Sequence, residues 1–153
     1  MFTIVILAIL TAVALPSYRS FVVSQRIKNT SFDVMASLIT ARSEAIKRNV
    51  SVDVTPAGGN WTNGWTVGLT GTGPILKNQS ALNSGVSVVC YSGTALQATC
   101  PTITYNSSGR LTGVAAPSIQ ITTTDASVAA GVATRCINVD LSGRPNSKKA
   151  NCP

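Results

Sequence analysis

The chain has 153 residues, with 12 Lys or Arg, 5 Asp or Glu and no histidine. Its length suits a single domain, and the missing histidine excludes catalytic groups of the Ser/His/Asp or Cys/His type. The five acidic residues are scattered and no cysteines form a CxxC pair, so we expect neither an enzyme nor a metal or cofactor site. The formal net charge of +7 suits nucleic acid, anionic lipid or an acidic partner, or solubility alone.

The first fifteen residues, MFTIVILAILTAVAL, carry no charge, Gly or Pro, and Pro16 follows. A helix of this length spans about 22 Å, short of the roughly 30 Å hydrocarbon core of a membrane. Two explanations stay open: a signal peptide cleaved near Ala14, or a membrane helix whose first residues precede Met1. The signal peptide would lack its usual basic start. Pro16 is expected to bend the helix.

Residues 17–49 contain no Pro or Gly, and their apolar residues recur at helical spacing. This pattern predicts an amphipathic helix with a wide apolar face. We expect a sheet formed by the rest of the chain to cover that face, with a coiled-coil partner as the alternative. One stripe comprises Val23, Ile27, Val34, Leu38, Ala41 and Ala45, and an adjoining stripe comprises Phe32, Met35, Ile39 and Ile46.

Beyond Val50 the chain becomes rich in Gly, Thr, Ser and Asn, with short alternating segments between turn residues. Such segments predict antiparallel strands, and Trp61 and Trp65 are interpreted as core aromatics. The predicted fold class is α+β, a long N-terminal helix packed on an antiparallel sheet. The predicted strands are 50–54, 65–69, 75–76, 86–91, 103–105, 119–122 and 134–141.

Four cysteines are present, which allows three disulfide pairings. The simplest pairing joins Cys90 to Cys100 and Cys136 to Cys152. Disulfides of this kind indicate an oxidising compartment such as a periplasm.

The last nineteen residues hold four cations and a single acid, Asp140. If the Cys136–Cys152 bridge closes this segment into a loop, the cations could contact phosphates without reading base sequence. Ordinary solvated charges are the simpler alternative. The cations are Arg135, Arg144, Lys148 and Lys149.

Three segments resemble one known family. MFTIVILAILTAVALPSYRSF at the start is similar to the N-terminal helix of type IV pilins and type II secretion pseudopilins. ARSEAIKRN at Ala41–Asn49, ITYNSSGRLTG at residues 103–113 and the two tryptophans around Asn63-Gly64 resemble the GspH/FimT branch. In that alignment the mature start lies six residues before Met1, and the family's assembly glutamate lies two residues before it.

The resemblance implies a pilin-like lollipop with residues 1–16 as a transmembrane and polymerisation segment, 17–50 as the helix packed on the head, and 51–153 as a β-rich head with a disulfide-bonded C-terminal loop. It implies a minor pilin of the bacterial inner membrane with a periplasmic head. Such a subunit joins other major and minor pilins in a type IV pilus, helping to start assembly or sitting near the tip. The alternatives are a minor pseudopilin of a type II secretion system, a DNA-binding minor pilin for natural transformation, and a secreted soluble β-protein.

DNA-binding members of this branch carry a Gly-Arg-x-Arg element near the C-terminus. Here Gly143 and Arg144 match its first two positions, and Asn146 replaces the second arginine. Lys148 and Lys149 could compensate, although no aromatic residue is available in this tail to stack on bases. The candidate DNA-binding set is Arg135, Gly143, Arg144, Lys148 and Lys149.

Overall fold

The computed structural model of the chain describes residues 2–113, 116–128 and 133–152, with side chains from residue 18 onward. The helix α1 (Phe2–Arg48) is followed by nine strands, with two short 3-10 helices, Ala57–Gly59 and Trp61–Asn63, between the first two strands. The strands are β1 (Val52–Pro56), β2 (Trp65–Leu69), β3 (Ile75–Gln79), β4 (Val86–Ser92), β5 (Ala95–Gln97), β6 (Ile103–Tyr105), β7 (Pro117–Thr123), β8 (Arg135–Val139) and β9 (Pro145–Lys148).

The helix α1 has 47 residues and is therefore about 70 Å long. It ends at Arg48, and the following Asn49 adopts a left-handed φ of 55° that lets the Val50 N–H donate to the Ala45 carbonyl. Lys47 and Arg48 in the last turn complement the negative end of the helix dipole.

Two sequence predictions concern the start of this helix. The transmembrane segment 1–16 and the bend at Pro16 depend on side chains that lie outside the described residues. Within the described part of the chain, no helix is long and apolar enough to cross a membrane.

The strands divide between two antiparallel sheets rather than forming one. The first sheet has the order β3-β2-β1-β6 and the second has the order β5-β4-β7-β8-β9. The predicted strands agree with β1–β4 and β6–β8 to within a few residues. The strands β5 and β9 were not predicted, and Val50 lies exposed before β1 rather than inside it.

Both sheets turn an apolar face toward α1, and together these elements form a single core. The two tryptophans lie inside it with ring centroids 5.2 Å apart, which confirms their interpretation as core aromatics. The fully buried helix residues include Val34, Leu38, Ala41 and Ala45, and the buried strand residues include Val52, Val54, Val67, Ile119, Ile121, Ile137 and Val139.

Each disulfide joins a strand of the second sheet to a segment of the chain outside the strands. Cys90 in β4 is bonded to Cys100, whose backbone N–H donates to the Gly59 carbonyl beside the first sheet. Cys136 in β8 is bonded to Cys152, so the segment after β9 is held on the second sheet. These are the two bonds of the simplest predicted pairing.

Candidate functional site

The amphipathic half of α1 has two apolar sides, and only one is covered by the head. The covered side carries Ile27, Val34 and Leu38, each no more than 1% exposed. On this side Ser31 Oγ lies 3.0 Å from Ser147 Oγ of β9, which places the helix against the edge strand of the second sheet.

The other side carries five large apolar residues that are 50–67% exposed. They are separated by 3, 11, 7 and 7 residues, each close to a whole number of helical turns, so they form one line about 42 Å long. We call this line the open stripe. It consists of Tyr18, Phe21, Phe32, Ile39 and Ile46.

The predicted DNA-binding residues lie on the hairpin of β8 and β9. Asp140 at the turn accepts hydrogen bonds from Ser142 Oγ at 2.6 Å and from the Arg144 backbone N–H at 2.9 Å. The Ser142 hydroxyl, and then the Arg144 N–H, hold the pKa of Asp140 below its usual value. The single acid of the tail therefore closes the turn, and Arg144 stands exposed beside it.

Gly143 holds the same turn against the rest of the head. It is buried with a φ of +81°, and a Cβ added there would lie 2.1 Å from the Gly109 carbonyl oxygen. That oxygen also accepts a hydrogen bond from Arg42 Nε of α1 at 3.0 Å. Gly143 therefore lets the turn approach Gly109 closely, while the neighbouring Arg144 is exposed.

The structure separates the four predicted cations into two groups. Arg144 and Lys148 line an open groove of about 860 Å³, together with Met35 of α1, Asn138 and Asn146. Polar and apolar residues both line the groove, and Asp140 is its acidic member.

Arg135 and Lys149 lie at the other end of the hairpin, in a recess of about 160 Å³. Lys28 of α1 lines the same recess. We call these three residues the basal cations. The sequence analysis did not connect Lys28 with the tail, because the two are more than a hundred positions apart and only the docking of α1 on the second sheet joins them.

The described residues offer no arrangement suited to catalysis or to metal binding. Lys77 Nζ lies 3.3 Å from Ser37 Oγ, but Ser37 is fully buried and its hydroxyl donates to the Asp33 carbonyl at 2.8 Å, so no substrate reaches it. Across the described ranges, no three His, Cys, Asp or Glu residues cluster as metal ligands. Burial raises the pKa of Tyr105, whose hydroxyl has no hydrogen-bond partner among the described residues.

The family model of the type II transport protein GspH matches residues 32–143, which include the C-terminal part of α1 and most of the head. No curated protein matches the chain.

Solved structures show the same fold at low sequence identity. The type IV minor pilin FimU of Pseudomonas aeruginosa (strain PAO1) superposes with a TM-score of 0.66 and 16% identity, over 84% of this chain and 93% of FimU. A second crystal form of FimU gives a TM-score of 0.63. The minor pseudopilin EpsH from the type 2 secretion system of Vibrio cholerae gives 0.59 with 15% identity, over 80% of this chain and 96% of EpsH.

Since the family model spans most of the chain and the helix-on-sheets fold agrees with it, the chain belongs to the GspH family of minor pilins and minor pseudopilins.

Proposed function

We propose that the protein is a structural minor pilin, anchored in the bacterial inner membrane with a periplasmic head and incorporated into a type IV pilus. In this role it is not an enzyme and uses no cofactor, and it helps to start assembly or sits near the tip. The observation that carries the proposal is the open stripe, an uncovered apolar line along a helix whose opposite side is already packed.

An apolar line about 42 Å long on one helix costs free energy in water and normally marks a binding surface. Its residues lie two helical turns apart over Phe32, Ile39 and Ile46, which is the spacing with which one helix packs along another. The partners that fit are the corresponding helices of other major and minor pilins.

Two alternative functions, a minor pseudopilin and a secreted soluble β-protein, differ in how well they account for the open stripe. A minor pseudopilin of a type II secretion system would use the same stripe, and the EpsH likeness supports that alternative equally for the fold. A secreted soluble β-protein would leave the stripe in water, so the stripe argues against it. The uncharged residues 1–15 support the membrane anchor.

The test replaces two residues of the open stripe, Phe32→Ser together with Ile39→Ser, in the full chain. The control removes two exposed apolar residues of the head, Ile75→Ser together with Leu96→Ser, which are similarly exposed. We expect the stripe variant to be lost from sheared filaments while it remains folded in the membrane fraction. The head variant should be incorporated normally.

Two results would contradict the proposal. One is incorporation of the stripe variant at the level of the original protein. The other is equal loss of both variants, which would show that any exposed apolar residue matters. Deleting pilus genes and secretion genes separately in the source bacterium then decides which filament contains the protein.

DNA binding is a second candidate function, favoured by the groove that Arg144 and Lys148 share. The turn aligns both cations along one surface, and their charges could neutralise phosphates without base readout. Arg144→Ala with Lys148→Ala should weaken salt-dependent binding of the full chain to duplex DNA. The control Arg26→Ala with Lys47→Ala removes two exposed cations of α1. Equal loss in both variants, or no binding by the original protein, excludes this candidate.

A further inference from the structure

The basal cations form a second basic site that is separate from the Arg144–Lys148 groove. Lys28 comes from α1, Arg135 from the start of β8 and Lys149 from the residue after β9. Ser24 and Gln25 of α1 also line the recess, and none of its lining residues is acidic. Three elements thus bring three cationic residues to one recess of about 160 Å³, where the Lys28 ammonium also lies 5.9 Å from the centroid of the Phe32 ring.

The charges of this site are not neutralised within the described protein. The ion pair found in the described residues joins Glu44 to Arg48, well away from the recess. Like charges brought together repel one another, and a bound anion relieves that repulsion while accepting charge-assisted hydrogen bonds. The oxygen atoms of a phosphate group can accept such hydrogen bonds from all three cationic residues.

The position of the recess along α1 indicates where such a phosphate comes from. Ser24–Lys28 lies 9–13 residues beyond Leu15, or about 14–20 Å along the helix from the end of the uncharged segment. The headgroup layer of a bilayer is about 5–8 Å thick. A helix tilt of about 20° shortens this height by only about 6%, so the long side chains of Lys and Arg must span most of the remaining distance to that layer.

Two neighbouring features suit the same membrane surface. Tyr18 and Phe21 stand exposed just below the recess, where an amphipathic aromatic ring is favoured at the membrane interface. Arg19 and Arg26 line an adjoining recess of about 260 Å³. Asp125 lines that recess too, so two cations and one acid face this lower part of the head.

We propose that the recess of Lys28, Arg135 and Lys149 binds the phosphate of an anionic glycerophospholipid in the membrane that anchors the protein. This inference rests on the membrane anchoring in the proposed function. It gives the basal cations a role that differs from that of Arg144 and Lys148, and it fixes the orientation of the head above the membrane before assembly.

The experiment compares two variants that each remove two positive charges from the same hairpin. Arg135→Gln with Lys149→Gln alters the recess, and Arg144→Gln with Lys148→Gln is the matched control. The full chain in neutral detergent is titrated with short-chain phosphatidylglycerol, short-chain phosphatidylcholine, inorganic phosphate and duplex DNA. Amide NMR signals of Thr134 and Lys149 report occupancy, and near-UV circular dichroism verifies folding.

We expect phosphatidylglycerol to shift the Thr134 amide in the original protein and in the control with equal affinity. The recess variant should bind at least about tenfold more weakly, since two charge-assisted hydrogen bonds are lost. Phosphatidylcholine and inorganic phosphate should bind more weakly than phosphatidylglycerol.

Several outcomes would overturn the inference. Equal weakening in both variants would indicate diffuse charge, and an unchanged recess variant would place the lipid elsewhere. Inorganic phosphate binding as tightly as phosphatidylglycerol would identify a soluble anion as the ligand. Loss of DNA binding in the recess variant with lipid binding unchanged would identify nucleic acid.

The filament role and the lipid site are tested by different measurements, so each can fail without the other. If the original protein reaches the membrane but is absent from sheared filaments, the filament role falls and the lipid site stands. If the filament test succeeds and the lipid titration fails, only the lipid site falls.

Discussion

The two apolar sides of α1 differ in residue size as well as in exposure. The covered side includes Ala41, Ala45 and Ser37, small residues that let the helix backbone approach the sheets closely. The open stripe instead carries aromatic and branched residues that are at least half exposed, although Ile46 also lies beside Gly109 of the head. Hydrophobicity alone does not distinguish these sides, because Ile27 and Leu38 on the covered side are as apolar as Ile39 and Ile46. The covered side differs in that it also includes small residues where the helix packs on the sheets.

The largest expected effect comes from shortening two adjacent residues of α1, one on the covered side and one in the open stripe. Leu38→Ala should lower the free energy of unfolding by about 2–5 kcal/mol, because it leaves a cavity in the core. Ile39→Ala should change it by less than about 0.5 kcal/mol, because Ile39 is half exposed and alanine favours a helix. Urea unfolding of the full chain in mild detergent measures both. Equal losses would mean that the open stripe is covered in the isolated protein.

A second comparison tests how the C-terminal turn is held near the end of α1. Gly143 and Gly71 have similar positive φ angles, +81° and +85°, but a Cβ at Gly71 meets nothing within 4 Å. Gly71→Ala should cost about 1 kcal/mol from backbone strain alone. Gly143→Ala should cost about 1–3 kcal/mol more, because the turn must move away from the Gly109 carbonyl. Equal costs measured by urea unfolding would show that the close approach is not required.

Enlarging a small residue of α1 tests in a second way which side of the helix is packed. Ala41→Leu should cost about 1–3 kcal/mol, because Ala41 is fully buried against the sheets. Ala36→Leu adds the same volume on an exposed part of the helix and should be nearly neutral. Thermal unfolding monitored by circular dichroism compares the two variants with the original protein. Similar losses would show that residue size on α1 does not report on which side is covered.

Local pattern was sufficient for the helix, most of the strands and the two tryptophans, because each depends on residues close in sequence. It did not predict β9, whose sequence Pro-Asn-Ser-Lys has no apolar alternation. That strand forms because the Asp140 turn brings it beside β8, where Asn138 pairs with Asn146.

The candidate site was only partly predictable for a related reason. Sequence composition grouped the tail cations together, whereas the adjacent Lys148 and Lys149 line different surfaces. Alternation along an extended strand separates neighbours in this way, but it cannot be applied before the strand is recognised. The contribution of Lys28 depends on tertiary packing and leaves no signal in the tail.

The smallest predicted effect concerns the carboxylate of Asp140, which closes the turn between β8 and β9. The Ser142 hydroxyl and the Arg144 N–H favour ionised Asp140, so its pKa is lower in the folded protein than the ordinary 3.8. A carboxyl with a lowered folded pKa contributes stability above the ordinary pKa, and this contribution is lost as the pH falls through the folded value. Asp140→Asn keeps an oxygen acceptor for both donors but does not titrate. The difference in unfolding free energy between Asp140→Asn and the original protein should therefore shrink when the pH is lowered from neutral to below 3.8. A difference that stays constant would show that the carboxylate charge does not stabilise the turn.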